Sequence, residues 1–335
     1  MTFIFVRAVI AMAVSFLVAP AVLALLRRGQ VLDHPSGRSS HATPIPRGGG
    51  VAPAVGASLA LAITPFLDGN ARWGLGVGAG MFGLVGLLED VVGIEALHRL
   101  GAQFAAALFA SVLLLQNLRG PAPWRCIFAF AVVFWLVAFV NAYNFMDGIN
   151  GISIAQAVGA GVTWFLVGRQ GDSRMLAVGG ALAAGAALGF APYNVAHARM
   201  FLGDVGSYFI GAWLAAVAVL GLRSGVQPEA VLAPLALYLA DTGTTLLGRV
   251  VRGESWYLPH RDHAYQRLTD AGWSHAQVSA VVLACIGACG LLGAVSLGDS
   301  VPARVAADVA IAGFVGAYLV APRWLAPRAP TVAVE

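Results

Sequence analysis

The chain has 335 residues, 59% of them hydrophobic and 11% charged, with a mean hydropathy of +0.79. Soluble domains carry about 25% charged residues, so this composition excludes an ordinary soluble protein and reads as an integral membrane protein. The net charge is +4 and every basic residue is arginine, an excess that in a multi-pass protein reflects topology rather than nucleic-acid binding.

Apolar stretches of about 17 to 25 residues are long enough to cross a bilayer. Eleven candidates fall at roughly 3–26, 49–67, 73–88, 99–117, 126–143, 152–168, 175–193, 205–222, 229–248, 276–297 and 303–321, the third and sixth being short enough to make ten the lower count. The expected fold class is therefore an all-α, polytopic integral membrane protein with about eleven transmembrane helices, forming a single domain over 1–335. The first candidate ends on Arg27 and Arg28, which reads as a retained helix with a cytoplasmic C-terminal end and not as a cleaved leader.

With eleven spans the connections sort into two sets. Those after odd-numbered spans hold all seven histidines, and the arginines divide 12 to 8 in their favour. Together with the Arg27-Arg28 stop, this bias places the odd side in the cytoplasm, with the polar segments at approximately 27–48, 89–98, 144–151, 194–204 and 249–275 facing it.

In chain order, the first of these is SGRSSHATPIPRGGG, residues 36–50, a Pro/Gly-punctuated loop that supplies Arg38, His41 and Arg47. Such a loop can bind lipid headgroups non-specifically. Glu89 and Asp90 close the third span, and an acidic helix C-terminus opposes the macrodipole, which favours a base or metal role over a structural one. In NAYNFMDGING, residues 141–151, Asn141, Asn144, Asp147 and Asn150 recur every three residues, a row that drifts around a helix axis, and Gly148 and Gly151 admit a turn or a close ligand. In FLGDVGS, residues 201–207, Asp204 is an N-cap candidate. The free N–H groups beside it suit a phosphate, and its carboxylate suits a divalent cation.

Asp241 lies about two turns inside the ninth span, where it either faces the same cavity or is neutralised by Arg249. The longest loop carries LPHRDHAYQRL, residues 258–268, with His260, Arg261, His263 and Arg267 suited to gripping phosphate oxygens. Cys126, Cys285 and Cys289 lie in or beside spans and read as packing residues. Acidic groups for a cation, basic groups for phosphate and glycine-flanked amides at one membrane face are the inventory of phosphoryl transfer, with one soluble and one lipid substrate.

The segments RSSHATPIPRGGG, NAYNFMDGINGI, FLGDVGS and HRDHAYQRL, in this order, resemble the polyprenyl-phosphate N-acetylhexosamine-1-phosphate transferase family over nearly the whole chain. The resemblance implies ten or eleven helices in the bacterial inner membrane and Mg²⁺ as cofactor, with Mn²⁺ as a substitute. It also implies transfer of a sugar 1-phosphate from a UDP-sugar to undecaprenyl phosphate with release of UMP. Membrane lipid and a second copy of the chain are the other expected partners, and nucleic acid is not one.

By the same resemblance Asp204 binds the metal, with Asp147 beside it, and Asp147 with Asn144 forms the catalytic NxxDG element. Asp90 acts as base or at the metal site, and Asn194 contacts the nucleotide. Gly148 and Asn150 cradle the uridine; His260, His263, Arg261 and Arg267 meet the diphosphate and sugar, with His41 and Arg47 as further substrate contacts. Several positions depart from the family pattern. Glu89 stands where an aspartate is usual, Asn150 where many relatives have aspartate, Ser39 and Ser40 where Arg-Lys is usual, and lysines near Arg99 are absent. HAYQR replaces a histidine cluster, a form similar to members that initiate O-antigen synthesis rather than to the peptidoglycan pentapeptide enzyme. A transporter would gather its ionisable groups near the bilayer midplane, and the acidic motif of the CDP-alcohol phosphotransferases is absent from the sequence.

Overall fold

In the computed structural model the protein is almost wholly helical; residues 2–35, 43–65, 69–116, 118, 120–195, 197–255, 260–298 and 300–325 are described. The helices are α1 (Thr2–Arg28), α2 (Val51–Ala62), α3 (Gly69–Val92), α4 (Ala96–Leu114), α5 (Ala122–Met146), α6 (Ile152–Gln170) and α7 (Arg174–Asn194). They continue as α8 (Gly203–Arg223), α9 (Pro228–Leu232), α10 (Ala236–Val251), α11 (Ala264–Asp270), α12 (His275–Gly293) and α13 (Val301–Leu325). Among the described residues ten helical segments are long and apolar enough to cross a membrane, α9 and α10 counting as one.

The expected spans are all present as helices, but their lengths differ from the hydropathy reading. The third and sixth candidates, expected to be short, are full helices of 24 and 19 residues, because α3 carries Asn70 and Arg72 within its first turn and α6 carries Arg169 and Gln170 in its last. The short member is the second: α2 has 12 residues, or about 18 Å of helix. It ends where Thr64 precedes Pro65, since a residue before proline is driven out of helical geometry, and the Thr64 hydroxyl turns back onto the Ala60 carbonyl at 2.6 Å. In the ninth span Pro234 interrupts the ladder, giving α9, a 3₁₀ turn over Ala233–Leu235 and then α10.

Helix α8 is the axis of the bundle, with nearly every residue from Gly203 to Gly221 buried against α3 and α5. Helix α7 packs between α1 and α6, and its run of alanine and glycine allows the close approach that holds helices together without a hydrophobic driving force between them. The two ends of the bundle differ in chemistry. At one, Arg223 donates to the Leu114 and Gln116 carbonyls at the ends of α8 and α4, and Arg304 pairs with Glu229 at 2.6 Å. The opposite end gathers the C-termini of α3, α5 and α7 and the N-termini of α6, α8 and α12, and there the motif residues collect.

Candidate active site

The site is built around the start of α8. Residues 201–202 are stitched to the segment after α1: Phe201 N–H donates to the Pro46 carbonyl at 2.8 Å, and Gly49 and Gly50 N–H donate to the Phe201 and Leu202 carbonyls, each at 2.8 Å. A two-residue antiparallel pairing of β1 (Leu32–Asp33) with β2 (Ile45–Pro46) fixes the other side of this segment. Arg47, directly after β2, is thereby aimed across the N-terminus of α8.

Its guanidinium joins two carboxylates, with Nε 2.8 Å from Asp90 Oδ1 and a terminal nitrogen 2.9 Å from Asp204 Oδ1. The Asp90 side chain is fully buried and also accepts the backbone N–H groups of Asp204 at 3.0 Å and Val205 at 2.9 Å. A carboxylate from α3 thus caps α8, where the helix dipole favours negative charge. This arrangement needs Gly203, whose φ is +72° and whose Cβ, were there one, would stand 2.6 Å from Asp90 Oδ2 and 2.6 Å from Gly48 N. Gly203→Ala is accordingly expected to lower stability by about 1–3 kcal/mol, read as a lower thermal midpoint in detergent; an unchanged midpoint would remove the close-approach argument.

Asn144, at the end of α5, donates to Asp204 Oδ1 and Ser207 Oγ, both at 2.9 Å. Of the four polar residues spaced by three, only Asn144 reaches this cluster through its side chain. Asn141 donates to Gln103 of α4 at 2.7 Å and belongs to helix packing. Asn150 engages α12 through its backbone, its N–H meeting His275 Nδ1 at 3.4 Å and its carbonyl accepting from Ser279 at 2.9 Å. Asp147 follows the last residue of α5. Burial pushes its carboxyl up to about 7, with the charges of Asp204 and Asp90 adding to the rise and Arg47 opposing it.

Asn194 ties two further segments together, its Oδ1 accepting Gly151 N–H at 2.9 Å and its Nδ2 donating to the Met200 carbonyl at 3.3 Å. Gly148 is exposed, and a Cβ there would collide with the Tyr265 hydroxyl, which donates to the Phe145 carbonyl at 3.0 Å. Through this contact the histidine-bearing segment lies against residues 145–148. The ring of His263 stacks on Phe145 at 6.5 Å and stands 5.0 Å from the ring of His260. Burial lowers the pKa of His260, with His263 and Arg249 acting the same way, so its imidazole is neutral at pH 7, and its buried Nδ1 has no hydrogen-bond partner.

The remaining expected site residues are placed elsewhere. Arg261 pairs with Asp270 at 2.8 Å. Arg267 points to α13, donating to the Leu319 carbonyl at 3.4 Å, and lines a separate cavity of about 560 Å³ with Thr244, Thr245 and Arg323. Glu89 clasps its own turn, pairing with Arg99 at 3.1 Å and accepting Ile94 N–H at 2.7 Å. Asp241 neither meets Arg249 nor joins the Asp204 cluster: Arg249 is held by Asp262 at 2.7 Å and Glu254 at 3.0 Å, while Asp241 bonds His263. His41 and Arg38 lie outside the described residues. Ser207, Tyr265 and Tyr318 are participants whose roles the sequence motifs did not reveal. Tyr265 stood inside HAYQRL between more conspicuous groups, and Tyr318 is one of three aromatics in the last helix with no local signal to single it out.

No three His, Cys, Asp or Glu side chains among the described residues form a ready cage for a metal ion. The donor set nevertheless fits Mg²⁺, which binds through one or two carboxylates and completes its shell with water and phosphate oxygens. Arg47 already shows that a cation is accommodated between Asp90 and Asp204, and it engages only Oδ1 of Asp204.

Residues 72–222, which contain Asp90, Asn144, Asp147 and Asp204, match the profile of Glycosyl transferase family 4. A protein of Bacillus subtilis (strain 168) named "Probable undecaprenyl-phosphate N-acetylglucosaminyl 1-phosphate transferase" is 26% identical over 300 residues, 84% of this chain and 82% of the relative. The decaprenyl-phosphate N-acetylglucosaminephosphotransferase of Mycobacterium tuberculosis (strain ATCC 25618 / H37Rv) is 29% identical over 319 residues, 81% of this chain and 77% of its own. A phospho-N-acetylmuramoyl-pentapeptide-transferase of Streptococcus pyogenes serotype M49 (strain NZ131) is 32% identical over 184 residues, about half of each chain. Fold, site and matches together define a multi-pass membrane transferase that handles a sugar phosphate. The chain is thus similar, through residues 72–222, to glycosyl transferase family 4, and along about four fifths of its length to relatives named as polyprenyl-phosphate N-acetylglucosamine phosphotransferases.

Proposed function

We propose that the protein transfers an N-acetylhexosamine 1-phosphate from a UDP-sugar to undecaprenyl phosphate, at the cytoplasmic face of the bacterial plasma membrane. A phosphate oxygen of the lipid attacks the sugar-bearing phosphorus of the donor; the bond to the other phosphate breaks, UMP leaves, and a lipid-linked diphosphate sugar remains. The observation that carries this reading is the Arg47–Asp90–Asp204–Asn144 cluster at one end of the bundle of membrane-length helices, with the Arg47 side chain partly exposed.

The chain's own groups divide the work. Arg47, whose side chain is 36% exposed, supplies a cation to phosphate oxygens arriving at the rim. Asp90 holds the α8 terminus and Arg47 in place. Asn144 orients Asp204, and neutral His260 offers a hydrogen bond to the diphosphate or the sugar. Mg²⁺ held by Asp204 and Asp147 would neutralise negative charge on the diphosphate.

The HAYQR form of the histidine segment favours a role at the start of O-antigen-like polysaccharide synthesis. The pentapeptide-sugar reading rests on the Streptococcus pyogenes relative, which aligns with half of the chain. Purified protein in detergent, given undecaprenyl phosphate, Mg²⁺ and a panel of labelled UDP-sugars that includes the pentapeptide donor, is expected to form a lipid-linked product from a UDP-N-acetylhexosamine. Product from the pentapeptide donor alone would replace the proposed donor, and product from none would overturn the reading.

The Asp147 carboxyl gives a pH signature. An acid raised to about 7 is protonated below that pH and so cannot serve as a carboxylate there, which makes the rate rise with pH through about 7 at limiting Mg²⁺. Because a bound cation favours the ionised form, saturating Mg²⁺ is expected to move this acid limb to lower pH. A limb that stays in place as Mg²⁺ is raised would separate Asp147 from the metal.

A further inference from the structure

We propose that Asp241 is a positioning residue for the histidine segment: it locks His263 as a buried anchor and so leaves His260 as the member of the pair that meets substrate. The inference rests on the proposed transferase reading for its kinetic arm only.

Asp241 lies on α10 with no exposed surface, and its carboxylate is the meeting point of three helices. Oδ1 accepts from Ala264 N–H at 3.0 Å and Thr245 Oγ1 at 3.3 Å and lies 3.2 Å from His263 Nδ1; Oδ2 accepts from the Tyr318 hydroxyl of α13 at 3.0 Å. The same carboxylate lies within hydrogen-bond reach of His263 Nδ1, which holds the imidazole in one place and one ring plane. His263 is also the residue before α11, so the same carboxylate that orients the ring receives the first free N–H of that helix.

The two histidines are thereby unlike. His263 is 2% exposed with one ring nitrogen committed, whereas His260 is half-buried with Nδ1 lacking a partner. From the anchor, contacts run to the reaction centre without a gap: His263 stacks on Phe145 and on Tyr265, Tyr265 bonds the Phe145 carbonyl, and the adjacent Asn144 bonds Asp204. Buried polar groups are costly unless satisfied, so a carboxylate satisfied by donors from α10, α11 and α13 favours one placement of the segment over others. Arg249 and Asp262 clamp the same segment further out, at 2.7 Å, but at a partly exposed site where such pairs contribute little.

The test uses the full-length protein in detergent and the variants Asp241→Asn, His260→Ala and their combination. Hydrogen exchange across residues 260–270 is expected to rise about tenfold in Asp241→Asn while exchange in α5 and α8 stays at the wild-type level. This arm reads the anchor even if the wild-type protein transfers no sugar phosphate. In turnover, Asp241→Asn is expected to lose about tenfold in kcat/KM and His260→Ala about a hundredfold, with the double variant within about threefold of His260→Ala alone, because Asp241 acts through the segment that carries His260. Unchanged exchange at 260–270 overturns the anchor, and fully additive losses overturn its action through His260. Should Asp241→Asn fail to accumulate, Tyr318→Phe removes one donor from the same carboxylate and is expected to move both readouts in the same direction, by about threefold; no movement in either would overturn the proposal.

Discussion

Asp204→Asn is expected to abolish turnover, by at least about a thousandfold, and to leave the protein folded. The amide oxygen of asparagine can still accept from Arg47 and Asn144, which both meet Oδ1 in the native site, so the hydrogen-bond frame survives the exchange. What disappears is one negative charge at the place where a divalent cation would bind, and with it the charge match on which phosphoryl transfer depends. The check is a rate measurement at saturating Mg²⁺ beside a thermal midpoint in detergent. Turnover within tenfold of wild type would remove Asp204 from the metal site.

Asp90→Ala is expected to behave differently, losing stability as well as activity. The Asp90 side chain is wholly buried, pairs with Arg47 and caps two backbone N–H groups of α8. Removing it strands the two N–H groups, while Arg47 keeps Asp204, at a cost of about 1–3 kcal/mol. The thermal midpoint in detergent should fall by several degrees, and Arg47 should lose one of the two carboxylates that aim it. A base that acted directly on the lipid phosphate would predict the opposite pattern, with lost turnover in a protein of native stability. The two variants side by side therefore distinguish a charge that holds the site from a charge that faces the substrate.

Much of this was legible in the sequence, and the parts that were not share a physical reason. Composition alone implied an all-α membrane bundle, and the clustering of histidines on alternate connections anticipated that the motif residues would collect at one end. Span lengths were less legible, because hydropathy windows register side chains and not backbone breaks. Thr64-Pro65 ends α2 early, Pro234 splits the ninth span, and Asn70 and Arg72 ride inside α3. Motif spacing marked Asp204, Asn144 and Asp90 as residues of consequence, but not which of them touch. That Asp90 would cap α8 and share Arg47 with Asp204 depends on the packing of α3 against α8, across more than a hundred residues of chain. Asp241 was visible as a buried charge, yet its partners come from α11 and α13, and no spacing rule connects position 241 with 263 or 318.

The nucleotide left behind tests the central claim most directly. Sugar-1-phosphate transfer cleaves between the two phosphates and yields UMP, whereas simple sugar transfer cleaves at the sugar and yields UDP. With undecaprenyl phosphate, Mg²⁺ and a UDP-N-acetylhexosamine that the purified protein accepts, one UMP per molecule of lipid-linked product is expected, and none without the lipid. Release of UDP, or of UMP without lipid acceptor, would contradict it.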